Sequence, residues 1–207
     1  MAMVNCCTAA DWLQVLLEVR KPCFDHTVDS ITIFGIDPGT RTLGFGWIEV
    51  DSQNMELVLS RGCGVIEATS SYKPDNTVAR RLALIMRELA GIFAQRRPSV
   101  VVIEKVFLGK NVDSAFVLGQ ARGVVLALAA DAGAVIREEA AKTAKKSVTG
   151  RGSAEKTEVR LILGRLLGIS DELNELPLDA SDGLALAYQG WRSMIAERAQ
   201  ARDEVDL

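Results

Sequence analysis

Four acidic side chains occupy positions at which strands or a helix would hold them rigidly. Asp37 directly follows the apolar run I-T-I-F-G-I, and Glu104 directly follows V-V-V-I. Asp179 and Asp182 are three residues apart near the start of a predicted helix, so they share one face of that helix. If the two apolar runs form neighbouring parallel strands, all four carboxylates can meet at one edge of a sheet.

Clustered carboxylates repel one another, and bound divalent cations relieve that repulsion. Magnesium prefers carboxylate and water oxygens as ligands. Two such ions about 3.5–4 Å apart can activate a water molecule and stabilise the leaving 3′ oxygen of a phosphodiester. The four acids therefore indicate metal-dependent phosphodiester hydrolysis.

Other chemistries have little support in the sequence. The only histidine is His26, which excludes a multi-histidine metal site and disfavours a Ser-His-Asp triad. No C-x-x-C pair or zinc spacing occurs among the four cysteines, which are Cys6, Cys7, Cys23 and Cys63. Any hydrolytic chemistry must therefore depend on carboxylates.

Each acid taken alone has a more ordinary explanation. Asp37, in D-P-G, is typical of a turn, and Glu104 could end a surface strand. Asp179 and Asp182 could simply interact with the dipole of a helix N-terminus. The metal-site hypothesis thus depends on the topology that brings the acids together.

The elements that must position these acids follow from hydrophobic periodicity. The pattern predicts an α/β fold with a mixed five-stranded sheet flanked by helices, in the order βββ-α-β-α-β-α-α-α. Strands are expected near residues 31–36, 43–50, 57–66, 99–103 and 134–137. Helices are expected near 9–19, 77–96, 113–131, 140–148, 153–167 and 177–202.

The charge distribution offers a local site for nucleic acid despite an acidic total. The net charge is −3, which argues mildly against DNA binding. Residues 137–165, however, contain eight Lys or Arg and four Glu, so this segment is net +4. We expect local phosphate binding around the acids by Lys110, Lys145, Lys146, Arg151 and Lys156, although an ordinary solvated helix face would show the same pattern.

Four segments resemble RuvC-type Holliday junction resolvases, and they occur in the family's order over about residues 31–190. They are I-F-G-I-D-P-G-T-R-T-L-G-F-G, V-V-I-E-K-V-F-L-G-K-N-V-D-S-A-F-V-L-G-Q-A-R-G-V, G-S-A-E-K and D-A-S-D-G-L-A-L-A. The resemblance implies an RNase H-like fold and a crossover junction endodeoxyribonuclease that makes paired symmetric nicks in DNA recombination and repair. It also implies a metal centre with two Mg²⁺ ions, for which Mn²⁺ can substitute.

The resemblance assigns roles to individual residues. Asp37, Glu104, Asp179 and Asp182 match the family's metal-binding acids. Phe107 matches an aromatic residue used at the branch point of the junction, and Lys145 and Lys156 match residues that contact DNA near the cut. The family forms homodimers through the helix that here contains residues 115–130, and it acts with the RuvA–RuvB branch-migration complex.

We divide the chain into residues 1–30, an N-terminal extension of unknown role, 31–191, the nuclease domain, and 192–207, a C-terminal helical tail. Residues 1–30 match nothing in the family, and the tail is acidic where a basic one is expected. The N-terminus lacks the basic start of a signal peptide, and no uninterrupted apolar run reaches the ~18 residues of a membrane span, so we expect a cytoplasmic protein.

Three alternative functions fit parts of the pattern. Another RNase H-like nuclease could process structured RNA such as ribosomal RNA precursors, but it would not need the F-L-G-K-N loop. An actin-like or sugar-kinase ATPase shares G-I-D-P-G-T but needs a second domain and a second glycine-rich phosphate loop. A non-catalytic junction-binding protein would be indicated by loss of an acid, and all four are present.

Overall fold

The chain builds a five-stranded mixed sheet in a computed structural model that describes residues 29–69, 76–105 and 112–205. Its strands lie in the order β3-β2-β1-β4-β5. The first three are antiparallel neighbours, whereas β4 is parallel to both β1 and β5. This architecture confirms the predicted fold class. The strands are β1 Ser30–Asp37, β2 Thr42–Asp51, β3 Val58–Glu67, β4 Val100–Glu104 and β5 Val135–Glu139.

Six helices accompany the described strands: α1 Val78–Arg96, α2 Val112–Asp131, α3 Ala141–Thr149, α4 Lys156–Leu167, α5 Ser170–Glu175 and α6 Leu178–Val205. The short helix α5 was not predicted, because six residues are too few to show helical periodicity. α6 continues without a break into the segment that the sequence analysis set apart as a tail. The predicted helix near residues 9–19 lies outside the described residues, and the division into domains stays a prediction.

Burial on both faces explains the apolar character of the central strands. Ile33 and Val102 belong to a core cluster shared with α3, α4, α5 and α6. Phe34, Ile103 and their neighbours belong to a second cluster, on the other face, shared with α1 and α2. Strands covered on both sides are apolar along their whole length, which is the pattern of β1 and β4.

Helix α2 is apolar on more than the face that it buries. Ala121, Val125 and Ala129 are fully buried, whereas Phe116 is 69% exposed. By length and composition alone, the segment Asp113–Asp131 is long and apolar enough to cross a membrane, although no uninterrupted apolar run of that length was found in the sequence. Only 17% of its most apolar window is buried. Much of this apolar surface is therefore available for contact.

Candidate active site

Two neighbouring strand ends bring the first pair of acids together. Strands β1 and β4 are parallel, and Ile36 is paired with Ile103. The next residue on each strand is an acid, so Asp37 and Glu104 emerge side by side at the same sheet edge. Both side chains line the same cleft, and burial together with the neighbouring Glu104 carboxyl raises the pKa of Asp37.

The start of helix α6 supplies the second pair. Asp179 and Asp182 lie in its first two turns, on the face that meets the sheet edge. One carboxylate oxygen each from Asp37, Asp179 and Asp182 lies within 4.8 Å of the other two. The structure therefore brings the four predicted acids to one place, with Glu104 joined to this group through Asp37.

Glycines allow α6 to lie directly on the backbones of β1 and β2. A Cβ atom at Gly44 would lie 2.0 Å from the carbonyl oxygen of Asp179, and one at Gly35 would lie 2.1 Å from the amide nitrogen of Ala187. Gly44 is also the strand partner of Asp37. The glycine faces of these strands therefore set the distance between Asp37 and the helix acids.

The sequence analysis did not identify this positioning role. The available signal was the presence of glycines inside otherwise well-formed strands, where glycine often marks a close approach of another backbone. Gly46 and the helical Gly183 belong to the same contact, because Cβ atoms there would lie 2.5 Å from the Cα atoms of Leu184 and Phe45 respectively.

Burial, together with crowding of negative charge, raises the pKa values of two carboxyl groups in the cluster. Burial, the hydrogen bond and charge of Glu104, and the charge of Asp182 raise the pKa of Asp37 from 3.8 to about 8. Burial also raises the pKa of Asp182, and Lys156 opposes that shift. A carboxyl that keeps its proton near neutral pH indicates a site with more negative charge than its side chains balance.

Lys156, the first residue of α4, contacts the helix acids directly. Its Nζ lies 3.2 Å from Asp179 Oδ1 and forms a closer salt bridge to Asp182 Oδ2. Burial lowers the pKa of Lys156, but hydrogen bonds and charges of Asp182 and Asp179 outweigh it, so the pKa is raised overall. The sequence analysis expected Lys156 to bind DNA, and the structure places it inside the acidic cluster.

A cleft of about 160 Å³ opens onto these side chains. Its walls combine three of the acids, two lysines and small or aliphatic residues of α3 and α6. The lining residues are Asp37, Glu104, Ala141, Ala144, Lys145, Lys156, Asp182, Ala185 and Leu186. Lys145 and Lys156 therefore share a cleft with the acids, as phosphate-binding residues near a cut would.

The remaining predicted DNA contacts lie farther out or outside the described residues. Lys146 is exposed on α3, next to Lys145. Arg151 is exposed but forms a salt bridge with Glu158. Phe107 and Lys110 fall in residues 106–111, outside the described part of the chain, so their placement stays a prediction.

The donor set fits a hard divalent cation. Three carboxylate oxygens converge, and the cleft that they face is lined by no histidine or cysteine among the described residues. Oxygen-only ligands with open positions suit Mg²⁺ or Mn²⁺ better than zinc. The acidic cluster together with the family match below supports a divalent metal site.

Comparisons with known proteins agree on one family. A family model described as crossover junction endodeoxyribonuclease RuvC matches residues 33–189. The RuvC endonuclease of Bdellovibrio bacteriovorus is 39% identical over 158 residues, which cover 76% of this chain and 88% of the relative.

Solved structures show the same fold. RuvC of Thermus thermophilus superposes with a TM-score of 0.63 at 27% identity, covering 80% of this chain and 97% of that one. A second structure of T. thermophilus RuvC, in complex with Holliday junction substrate, has a TM-score of 0.62 at 24% identity and covers 80% and 96% of the two chains. These comparisons favour the junction resolvase over the RNA-processing nuclease and the ATPase. The chain therefore belongs to the RuvC family of crossover junction endodeoxyribonucleases.

Proposed function

We propose that the chain resolves Holliday junctions by hydrolysing phosphodiester bonds at the acidic cluster. The observation that carries the proposal is the convergence of Asp37, Asp179 and Asp182 within 4.8 Å, with Glu104 beside Asp37 in the same cleft. Membership of a family of junction endonucleases supports the substrate, and the oxygen-only donor set supports metal-dependent hydrolysis.

We assign two Mg²⁺ ions, replaceable by Mn²⁺, to the four acids. Such a pair supplies an activated water and stabilises the leaving 3′ oxygen. The chain's own contribution is to hold its carboxylates rigidly at strand and helix ends. Asp37 must release its proton when it becomes a ligand, because its pKa of about 8 keeps it protonated at neutral pH.

Basic residues around the cleft hold the DNA backbone. Lys145 and Lys156 line the cleft with the acids, so they bind phosphates next to the cut. Lys146 and Arg151 lie farther out and contact the flanking backbone together with Lys110. Phe107 follows Glu104 by three residues, a span of at most ~10 Å, so it can reach the opened centre of a junction and stack on an unpaired base.

We further propose a two-fold symmetric homodimer joined through α2. A four-way junction offers two equivalent strands, and an isologous dimer presents two equivalent sites for paired nicks. The exposed apolar surface of α2, including Phe116, fits such an interface. We place the dimer in the cytoplasm, in DNA recombination and repair, with the RuvA–RuvB branch-migration complex as partner.

The decisive test is cutting of a labelled synthetic four-way junction in Mg²⁺, compared with linear duplex and with structured RNA. We expect paired nicks in the junction alone, and no nicks in EDTA. Four variants should each abolish cutting and leave junction binding intact: Asp37→Asn, Glu104→Gln, Asp179→Asn and Asp182→Asn.

The control is Glu56→Gln, which removes an exposed carboxylate in the β2–β3 turn, and it should cut normally. Normal cutting by any of the four variants would exclude that residue from the metal centre. Equal cutting of linear duplex or preferential cutting of RNA would contradict the assigned substrate.

A further inference from the structure

Lys156 reaches the acidic cluster from a different helix than the acids that it contacts. Its backbone begins α4, whereas Asp179 and Asp182 belong to α6. Its ammonium group touches an oxygen of each, and the Asp182 oxygen that it touches is almost completely shielded from solvent. An ammonium has three donors and no acceptor, so these carboxylates are natural partners for it.

No other positive charge in the described part of the chain reaches the same oxygens. Among the side chains that the structure describes, Lys156 is the only cation in a salt bridge with the cluster. Lys145 lines the same cleft, yet its influence on Asp182 is only a weak lowering of the pKa, after burial, Lys156 and Asp179. The position of Lys156 is therefore specific.

The carboxylates that Lys156 contacts are also ones that a metal would need. Asp179 and Asp182 supply two of the three convergent oxygens. Mg²⁺ requires direct contact at about 2.0–2.1 Å, and a lysine ammonium beside it would be repelled by its double charge. A metal bound to these carboxylates would therefore weaken the contact of the ammonium with them.

We propose that Lys156 is a built-in counter-ion of the metal centre, which competes with the divalent cation for Asp179 and Asp182 and is released when the cation binds. This role rests on the metal centre of the proposed function. The Lys156 side chain is 45% exposed, and its stem is long and flexible, so the ammonium can swing out of the cluster. It then faces the cleft, where a DNA phosphate is its new partner.

The exchange couples metal loading to DNA binding. In protein stripped of metal, the ammonium offsets part of the repulsion among the acids. In metal-bound protein, the divalent cation offsets the repulsion among the acids instead, and the Lys156 ammonium is free to bind a DNA phosphate. A lysine that bound only DNA, without contact to these carboxylates, would change metal affinity far less, so metal affinity separates the two roles.

The test compares Lys156→Met with Lys142→Met, an exposed lysine on α3 whose loss changes net charge equally. Lys156→Arg keeps the charge at the position. Mg²⁺ binding is measured by titration calorimetry without DNA. Urea unfolding is measured in EDTA and in saturating Mg²⁺.

Lys156→Met should bind Mg²⁺ roughly five- to tenfold more tightly than the parent, a modest gain because the ion pair is partly solvated. It should be less stable than Lys142→Met in EDTA and should gain more stability from Mg²⁺. Lys156→Arg should stay within about twofold of the parent's Mg²⁺ affinity, because it keeps the competing charge.

Two different failures can be told apart. Equal Mg²⁺ affinity in the two methionine variants, with clear binding by the parent, would refute the competition and leave the metal centre intact. No Mg²⁺ binding or stabilisation in the parent would refute the metal centre itself, and the competition with it.

Discussion

A methyl group added at Gly44 would test how the active site is positioned. Gly44 pairs with Asp37 across β1 and β2, and it lies beneath the carbonyl of Asp179. Gly44→Ala removes no carboxylate and no charge. It changes only the space between the strand that carries Asp37 and the helix that carries Asp179 and Asp182.

The size of the effect follows from the contact distance. The new Cβ would lie 2.0 Å from a backbone oxygen, about 1.4 Å closer than the 3.4 Å at which ordinary van der Waals contact begins. A backbone carbonyl cannot rotate away as a side chain can, so the first turn of α6 must move. Overpacking of this kind costs about 1–3 kcal/mol of folding stability, and a displacement of ~1 Å at a reacting centre can reduce a rate ~100-fold.

The assay pairs single-turnover cutting of a four-way junction with urea unfolding. The matched control is Gly91→Ala on an exposed face of α1, where an added Cβ meets nothing within 4 Å. That variant should cut normally and gain about 0.5–1 kcal/mol, because alanine stabilises a helix interior. If Gly44→Ala cuts as fast as the parent while remaining as stable, the glycine contact does not position the acids.

Three further predictions use other parts of the molecule. Phe107→Ala should slow junction cutting strongly and weaken binding less, by ~1–3 kcal/mol, and cutting at the parent's rate would refute its branch-point role. Phe116→Asp should convert the dimer to monomer in sedimentation analysis, and an unchanged dimer would move the interface away from this side of α2. In EDTA, the parent should lose stability relative to Asp37→Asn as the pH rises from 5 to 8. The reason is that Asp37 keeps its proton to about pH 8 in the folded protein, whereas the unfolded side chain has already released it. A constant difference in urea titrations across this range would contradict the raised pKa of Asp37.

The sequence predicted those parts of the site that depend on local pattern. The apolar runs before Asp37 and Glu104 predicted buried strands, and the parallel pairing seen in the structure brings the two acids to one edge. Asp179 and Asp182 share a helix face through the helical repeat alone. Local periodicity therefore predicted the elements that carry the acids, and the assumed parallel pairing and the family resemblance predicted that the acids meet.

Contacts between positions far apart in the sequence could not be predicted from the sequence pattern. Gly44 and Asp179 are 135 residues apart in the sequence, and hydrophobic periodicity gives no information on contacts between such distant positions. The salt bridges of Lys156 depend on how α4 and α6 pack, so Lys156 was predicted from the sequence only as a DNA-binding residue. Helix α5 was missed for a third reason, since its six residues bury only Leu173.

The summed charge of residues 137–165 overstates what they offer to DNA. Arg137 forms two hydrogen bonds to Glu197, Arg151 pairs with Glu158, and Arg160 donates to the carbonyl of Leu176. Arg137 and Arg160 serve the fold, because the first ties β5 to α6 and the second ties α4 to the segment just before α6, whereas the exposed Arg151 only shares its charge with Glu158. The positive charge left for phosphate lies mainly on α3 and at the first residue of α4, beside the cleft that contains the acids. An acidic protein can bind DNA locally when its cations lie beside the proposed cutting site, and those cations need not outnumber its acids elsewhere.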